Sequence, residues 1–313
     1  MNAPLRPLST GELLDRTFTL YRQNLLLFIG VTLLAPALSV LSAVAMLLLG
    51  IGTTGATGFV KNPWAIGSTI TFSVIIYLIG HAIALAASIR AVAARYLDRP
   101  ITIREAYASI RGHLGRVLGA VMLSMIIVGV VVYLLLIAGV VAVVSGISIG
   151  QQVSRTTGAW LGGALGVVIL VFCLLGAFRF AMRYVLTVQA CVVEDLGGKA
   201  SMQRSRVLTE GSYSRIVTVY FVCIIIAVIF GVVGQGLAAA LTPGHNLLAR
   251  QIMTQFFSLI TSALTAPITT VAMCLVYYDE RVRKEAFDLQ LLMETIDGPA
   301  PPSPEPMPGP ALG

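Results

Sequence analysis

The side chains of this chain that could do chemistry are few and far apart. Three histidines, His81, His113 and His245, fall on three different segments, so a shared metal site is implausible. The four cysteines, Cys173, Cys191, Cys223 and Cys274, lack metal spacing and read as apolar packing. No phosphate-cradling glycine loop, nucleophile elbow or His-Glu-x-x-His pattern occurs. Two groups remain. Tyr77 precedes His81 by four residues, which puts both on one helical face. A neutral imidazole there hydrogen-bonds across helices or, in the functional reading, meets a substrate. Arg179 and Arg183, also four apart, either snorkel to an interface or clamp a lipid phosphate, with Glu194 or Asp195 as alternative partners. The sequence therefore predicts no catalytic residue, no metal, no cofactor and no enzyme.

What positions these residues is a membrane bundle. Of 313 residues, 57% are hydrophobic and 11% charged, against about 25% charged in a soluble domain. Such a chain cannot supply a polar surface and must bury its apolar side chains in lipid. Crossing a hydrocarbon core takes about 20 apolar residues. Six uncharged runs meet that length, with spans near 25–50, 65–87, 117–144, 160–178, 216–241 and 253–276 and glycine-, serine- and threonine-rich ends read as loops. The expected fold is all-α: a polytopic bundle of six transmembrane helices.

Charge sets the orientation. Arg6, Arg16 and Arg22 precede the first span; Arg90 to Arg116 fill the second loop; Arg179 to Arg215 fill the fourth; and Arg281, Arg283 and Lys284 follow the last. The other loops hold only Lys61, Arg155 and Arg250, and no carboxylate. The positive side is cytoplasmic, so both termini lie inside a bacterial-type inner (plasma) membrane. The net charge of +7 is thus first a topology signal and second an attraction to anionic headgroups. Basic residues mixed with acids and hydrophobic anchors do not suit nucleic acid. Glu12 and Asp15 before an overlong first span argue against a cleaved signal peptide.

The chain reads as a membrane domain, 1–297, of three hairpin repeats (8–98, 99–196, 197–297), then a disordered Pro-rich tail, 298–313. Each unit opens with a short amphipathic cytoplasmic helix. Ser9-Thr10-Gly11-Glu12 and Thr102-Ile103-Arg104-Glu105 are capping boxes, and the third opener near Lys199 lacks one. These helices either lie in the headgroup plane, Leu14, Phe18 and Tyr21 downward in the first, or pack together as a collar. Trp64 and Trp160 fit an outer aromatic belt, with ligand stacking as the alternative. Gly158, Gly162 and Gly166 form two G-x-x-x-G steps for close helix approach or, less simply, a groove. Pro36 and Pro267 each remove a helix hydrogen bond and kink a span, statically or as a gate.

Three stretches carry a resemblance: Leu8-Ser9-Thr10-Gly11-Glu12-Leu13-Leu14-Asp15-Arg16 with Tyr21-Arg22-x-Asn24; Val193-Glu194-Asp195-Leu196-Gly197 with Arg204-Ser205-x-x-Leu208-Thr209; and Leu275-Val276-Tyr277-Tyr278-Asp279-x-Arg281-Val282-Arg283-Lys284-Glu285-x-Phe287-Asp288-Leu289. They resemble the membrane region of the bacterial glycerophosphoryl diester phosphodiesterase membrane-domain family. Glu280 and Ala286 depart from it, standing where the family usually has Leu and Gly. The catalytic barrel of that family's namesakes needs about 250 residues, so the resemblance implies a multi-pass domain and not the activity. The expected role is a non-catalytic membrane domain that scaffolds a partner, reached through the tail, or organises lipid. The alternative is a small transporter or lipid-handling permease.

Overall fold

The structure, a computed structural model, describes residues 7–48, 63–242 and 247–286. Among them there are helices and no strand. In chain order they are α1 (Thr10–Gln23), α2 (Leu25–Thr32), α3 (Leu34–Leu48), α4 (Pro63–Tyr96), α5 (Ile103–Ala108), α6 (Leu114–Val153), α7 (Thr157–Arg183), α8 (Thr187–Val193), α9 (Gly198–Thr209), α10 (Tyr213–Leu241) and α11 (Leu247–Glu285). Six stretches are long and apolar enough to cross a bilayer, and the chain is a multi-pass membrane protein. The tail from 298 lies outside the described residues.

Both foreseen capping boxes form. The Ser9 hydroxyl accepts from the Glu12 amide at 3.3 Å and the Glu12 carboxylate from the Ser9 amide at 2.8 Å; Thr102 and Glu105 repeat the pair at the start of α5. Helix α9 starts at Gly197 with no side-chain cap. The first helix buries Leu13, Thr17 and Tyr21, while Leu14 and Phe18 are half-buried. Its covered face meets α11, where the Tyr21 hydroxyl donates to the Leu264 carbonyl at 3.0 Å. Helix α1 thus packs on the span helix α11, and not, as a collar would require, chiefly on the other short amphipathic helices α5 and α9.

The first span is two helices. Pro36 has no N–H to give the Thr32 carbonyl, and the break between α2 and α3 falls at Leu33. Pro267 leaves α11 continuous.

The glycine-rich end of the third span departs from the loop expectation. Helix α6 runs on to Val153, 40 residues in all, or about 60 Å at 1.5 Å per residue. A Cβ on Gly162 would stand 1.9 Å from the Gly146 carbonyl oxygen, and one on Gly150 2.0 Å from that of Gly158. The glycines therefore bring the backbones of α6 and α7 into contact and hold both helical up to a short turn. Gly166 meets Val143 and Ala142 in the same seam.

Burial is uneven. Within the most apolar 18-residue window of each span, 61% of residues are buried in the last one, against 6% in Ile103–Val153 and 11% in Thr157–Val193. Helix α11 is thus the bundle's axis, with α1, α2, α3, α4, α9 and α10 around it, while the α6–α7 hairpin exposes most of its apolar length to lipid.

Candidate functional site

Two polar assemblies stand out, one among the charges and one at membrane depth. The first surrounds the end of α11. Asp279 and Glu280 are buried there, both paired with Arg215 from α10. Arg283 pairs with Asp279 at 3.0 Å and donates to the Leu8 carbonyl at 2.5 Å, and the Leu8 amide donates to Asp279 at 2.6 Å. Glu194, the cap of α8, accepts from Arg204 Nε on both oxygens at 2.9 Å and from the Tyr277 hydroxyl. Arg204 also binds Glu285, and that hydrogen bond, ahead of the Glu194 pair, holds its guanidinium above the ordinary arginine value against the opposing effect of desolvation. Asp195 gathers Arg90 at 3.0 Å, Arg116 at 3.5 Å and His113 at 4.0 Å. Every carboxylate here has cationic partners, so the layer ties α1, α4, α6, α8, α9, α10 and α11 together. Its chemistry is structural.

Glu194 and Asp195 are thereby committed, and neither partners Arg179 or Arg183. Both arginines are exposed on α7. The Arg179 guanidinium lies 5.1 Å from the centre of the Tyr213 ring. The Arg183 carbonyl accepts from Ser205 at 2.9 Å and Thr209 at 3.3 Å, fixing its backbone and leaving its side chain at the surface. Trp160 is 81% exposed at the far end of α7, as an interface anchor requires. Trp64 stands in the first turn of α4, where side chains lie outside the described residues.

The second assembly contains His81. A cavity of about 480 Å³ lies between the α2–α3 break, α4 and α11. Its polar lining follows helical spacing on each wall. Helix α4 supplies Tyr77, His81 and Ser88, and α11 supplies Gln255, Ser258, Ser262, Thr265 and Thr270. The break supplies Thr32, Pro36 and Ser39. Among the described residues, no Asp, Glu, Lys or Arg lines it. His81 stacks on Tyr77, ring centres 5.8 Å apart.

The cavity has a closed and an open end. Along α11, Thr270 is the lining residue nearest the charged layer, and the ten residues from Val271 to Glu280 are all buried. Gln255 lies 15 residues back along α11, about 22 Å further from that layer. Residues around it are exposed or half-buried, so the chamber is sealed toward the charged end and loosens toward the other.

No family model, curated protein or solved structure matches this chain.

His81 and Pro36 are brought together there, with Ala266 beside Pro267 on the opposite wall. Arg179, Arg183 and Trp160 are not part of it. Sequence reading found the Tyr77–His81 pair and missed the hydroxyls. Their signal was a polar stripe at three- and four-residue spacing along the last span, hidden because single Ser and Thr are common in membrane helices.

Proposed function

We propose that the protein is a small transporter or lipid-handling permease of a bacterial-type inner membrane, with both termini cytoplasmic, working without catalysis. The observation that carries this is the cavity: ten polar side chains gathered at membrane depth, with no charge among them. Polar groups in hydrocarbon are costly unless they are paired or face a ligand or water. The volume falls within the range of about 300–1,000 Å³ usual for ligand sites. The α2–α3 break at Leu33 forms one of its walls. The orientation follows from the distribution of Arg and Lys. Relationship to the glycerophosphoryl diester phosphodiesterase membrane-domain family is part of the same proposal, since the motifs that carry it, Leu8, Glu194, Arg204 and Asp279 among them, form the tie layer that fixes the bundle.

A scaffold that organises lipid is the second reading, favoured by the α6–α7 hairpin, which is locked by glycines and exposed along its length. Reconstitution decides between them. Vesicles holding the protein are followed for osmotic reswelling in small solutes and for dithionite bleaching of acyl-labelled lipids. The transport reading expects at least one rate above that of empty vesicles, and a Ser262→Leu variant, which fills the cavity, to remove the excess. Rates equal to those of empty vesicles for all solutes and lipids would overturn it.

A further inference from the structure

We infer that the cavity takes an uncharged, hydroxyl-rich group, a free polyol or sugar or the same chemistry as a lipid headgroup, entering from the end away from the charged layer. The inference rests on the transport reading and names its substrate class.

The state of each lining group carries it. Six hydroxyls donate back to their own helices: Thr32 to Phe28 at 2.9 Å, Ser39 to Pro36 at 2.7 Å, Ser88 to Ala84 at 2.7 Å, Ser262 to Ser258 at 2.7 Å, Thr265 to Thr261 at 2.9 Å and Thr270 to Ala266 at 3.1 Å. With their protons spent, these oxygens offer the cavity lone pairs only. The Thr32 carbonyl adds another acceptor, because Pro36 cannot bond it. A ligand that fits must therefore bring several donors.

Tyr77, His81, Gln255 and Ser258 make no side-chain hydrogen bond to another described residue. Each can donate as well as accept. The ligand thus needs acceptors too, a few beside its many donors. Hydroxyl groups supply both from one atom.

Charge is excluded by the surroundings. A cation would find no carboxylate in the lining, and an anion no Lys or Arg. In a low-dielectric site an uncompensated ion loses more in hydration than neutral dipoles return. The charged layer does not serve as counterion, since its carboxylates are each paired with cations of the layer and the buried stretch 271–278 separates Asp279 and Glu280 from the chamber. That stretch also leaves the opposite end as the way in.

The test uses the full chain in vesicles of phosphatidylethanolamine and phosphatidylglycerol. Mannitol and xylitol are compared with choline and inorganic phosphate by reswelling, and an acyl-labelled glucosyl diacylglycerol with acyl-labelled phosphatidylglycerol by bleaching. The inference expects the uncharged member of one arm to move at least tenfold faster than its charged counterpart; which arm responds identifies the free or lipid-borne source. Gln255→Leu and Ser262→Leu should each lower that rate tenfold or more without changing elution of the purified protein. Choline, phosphate or phosphatidylglycerol moving as fast as the uncharged compound overturns the substrate class and leaves the cavity reading standing. No movement above empty vesicles, or movement indifferent to both variants, overturns both.

Discussion

Ala286, immediately after α11, holds φ +49°, a conformation that costs a residue with a Cβ about 1 kcal/mol relative to glycine. The resembled family usually has Gly there, and the backbone supplies the reason: the residue after a helix commonly turns left-handed. Ala286→Gly should therefore raise stability by about 1 kcal/mol, read as a higher melting temperature in detergent; an unchanged or lower value would refute the assignment. The opposite departure, Glu280, is buried and bound to Arg215 and to Ser212 at 2.7 Å. Removing the shared cation by Arg215→Met leaves the buried Asp279 to Arg283 and the buried Glu280 to Lys284 at 4.0 Å, at a cost of about 3 kcal/mol. A melting point within one degree or so of the parent's would show that the pair contributes nothing. Site residues were legible only where type alone is rare at membrane depth. His81 was visible for that reason. Ser262 and Thr270 were not, because a lone hydroxyl satisfies itself on its own helix and leaves no pattern until three helices are brought together.

At the scale of elements, the α6–α7 hairpin shows how glycine spacing can be read from one strand of a seam and missed on the other. Gly158, Gly162 and Gly166 were evident as a regular step, whereas Gly146 and Gly150 sat in a Ser- and Gly-rich run that resembles a loop. Only the close approach of two backbones turns those residues into helix. The seam predicts a contrast within one helix. Gly150→Val and Gly162→Val place methyl groups on a facing carbonyl and should cost about 1–3 kcal/mol or more. Gly129→Val, where nothing lies within 4 Å, should be neutral or slightly stabilising on helix propensity. Thermal unfolding in detergent separates them, and equal melting points for all three would dissolve the seam. Helix α8 escaped sequence reading for another reason. Its seven residues, Thr187–Val193, are too few to span and too apolar for an exposed loop, so their place against α4, α6 and α9 depends on partners far along the chain.

For the whole molecule, the six spans and the segregation of charge could be read directly, because both follow from the cost of placing Arg, Lys and carboxylates in hydrocarbon. Which helix forms the axis could not. The buried part of the last span, 271–280, ends in the ion-paired Asp279 and Glu280, whose partner Arg215 comes from α10, so its burial depends on another helix. The same arrangement yields a prediction about access. With the charged layer at the cytoplasmic face, as proposed, and its chamber sealed by residues 271–280, the protein should admit reagents from the outside only. With the four native cysteines replaced by alanine, Gln255→Cys should react with a membrane-impermeant maleimide added to intact spheroplasts. Thr270→Cys, 15 residues deeper and about 22 Å nearer the sealed end, should react far more slowly. Inverted vesicles, which present the cytoplasmic face, should protect both. Rapid labelling of Thr270→Cys in inverted vesicles would mean that the ion-paired end is open. Labelling of Gln255→Cys there and not in spheroplasts would reverse the orientation, and the positive side of the bundle would then have to face outward.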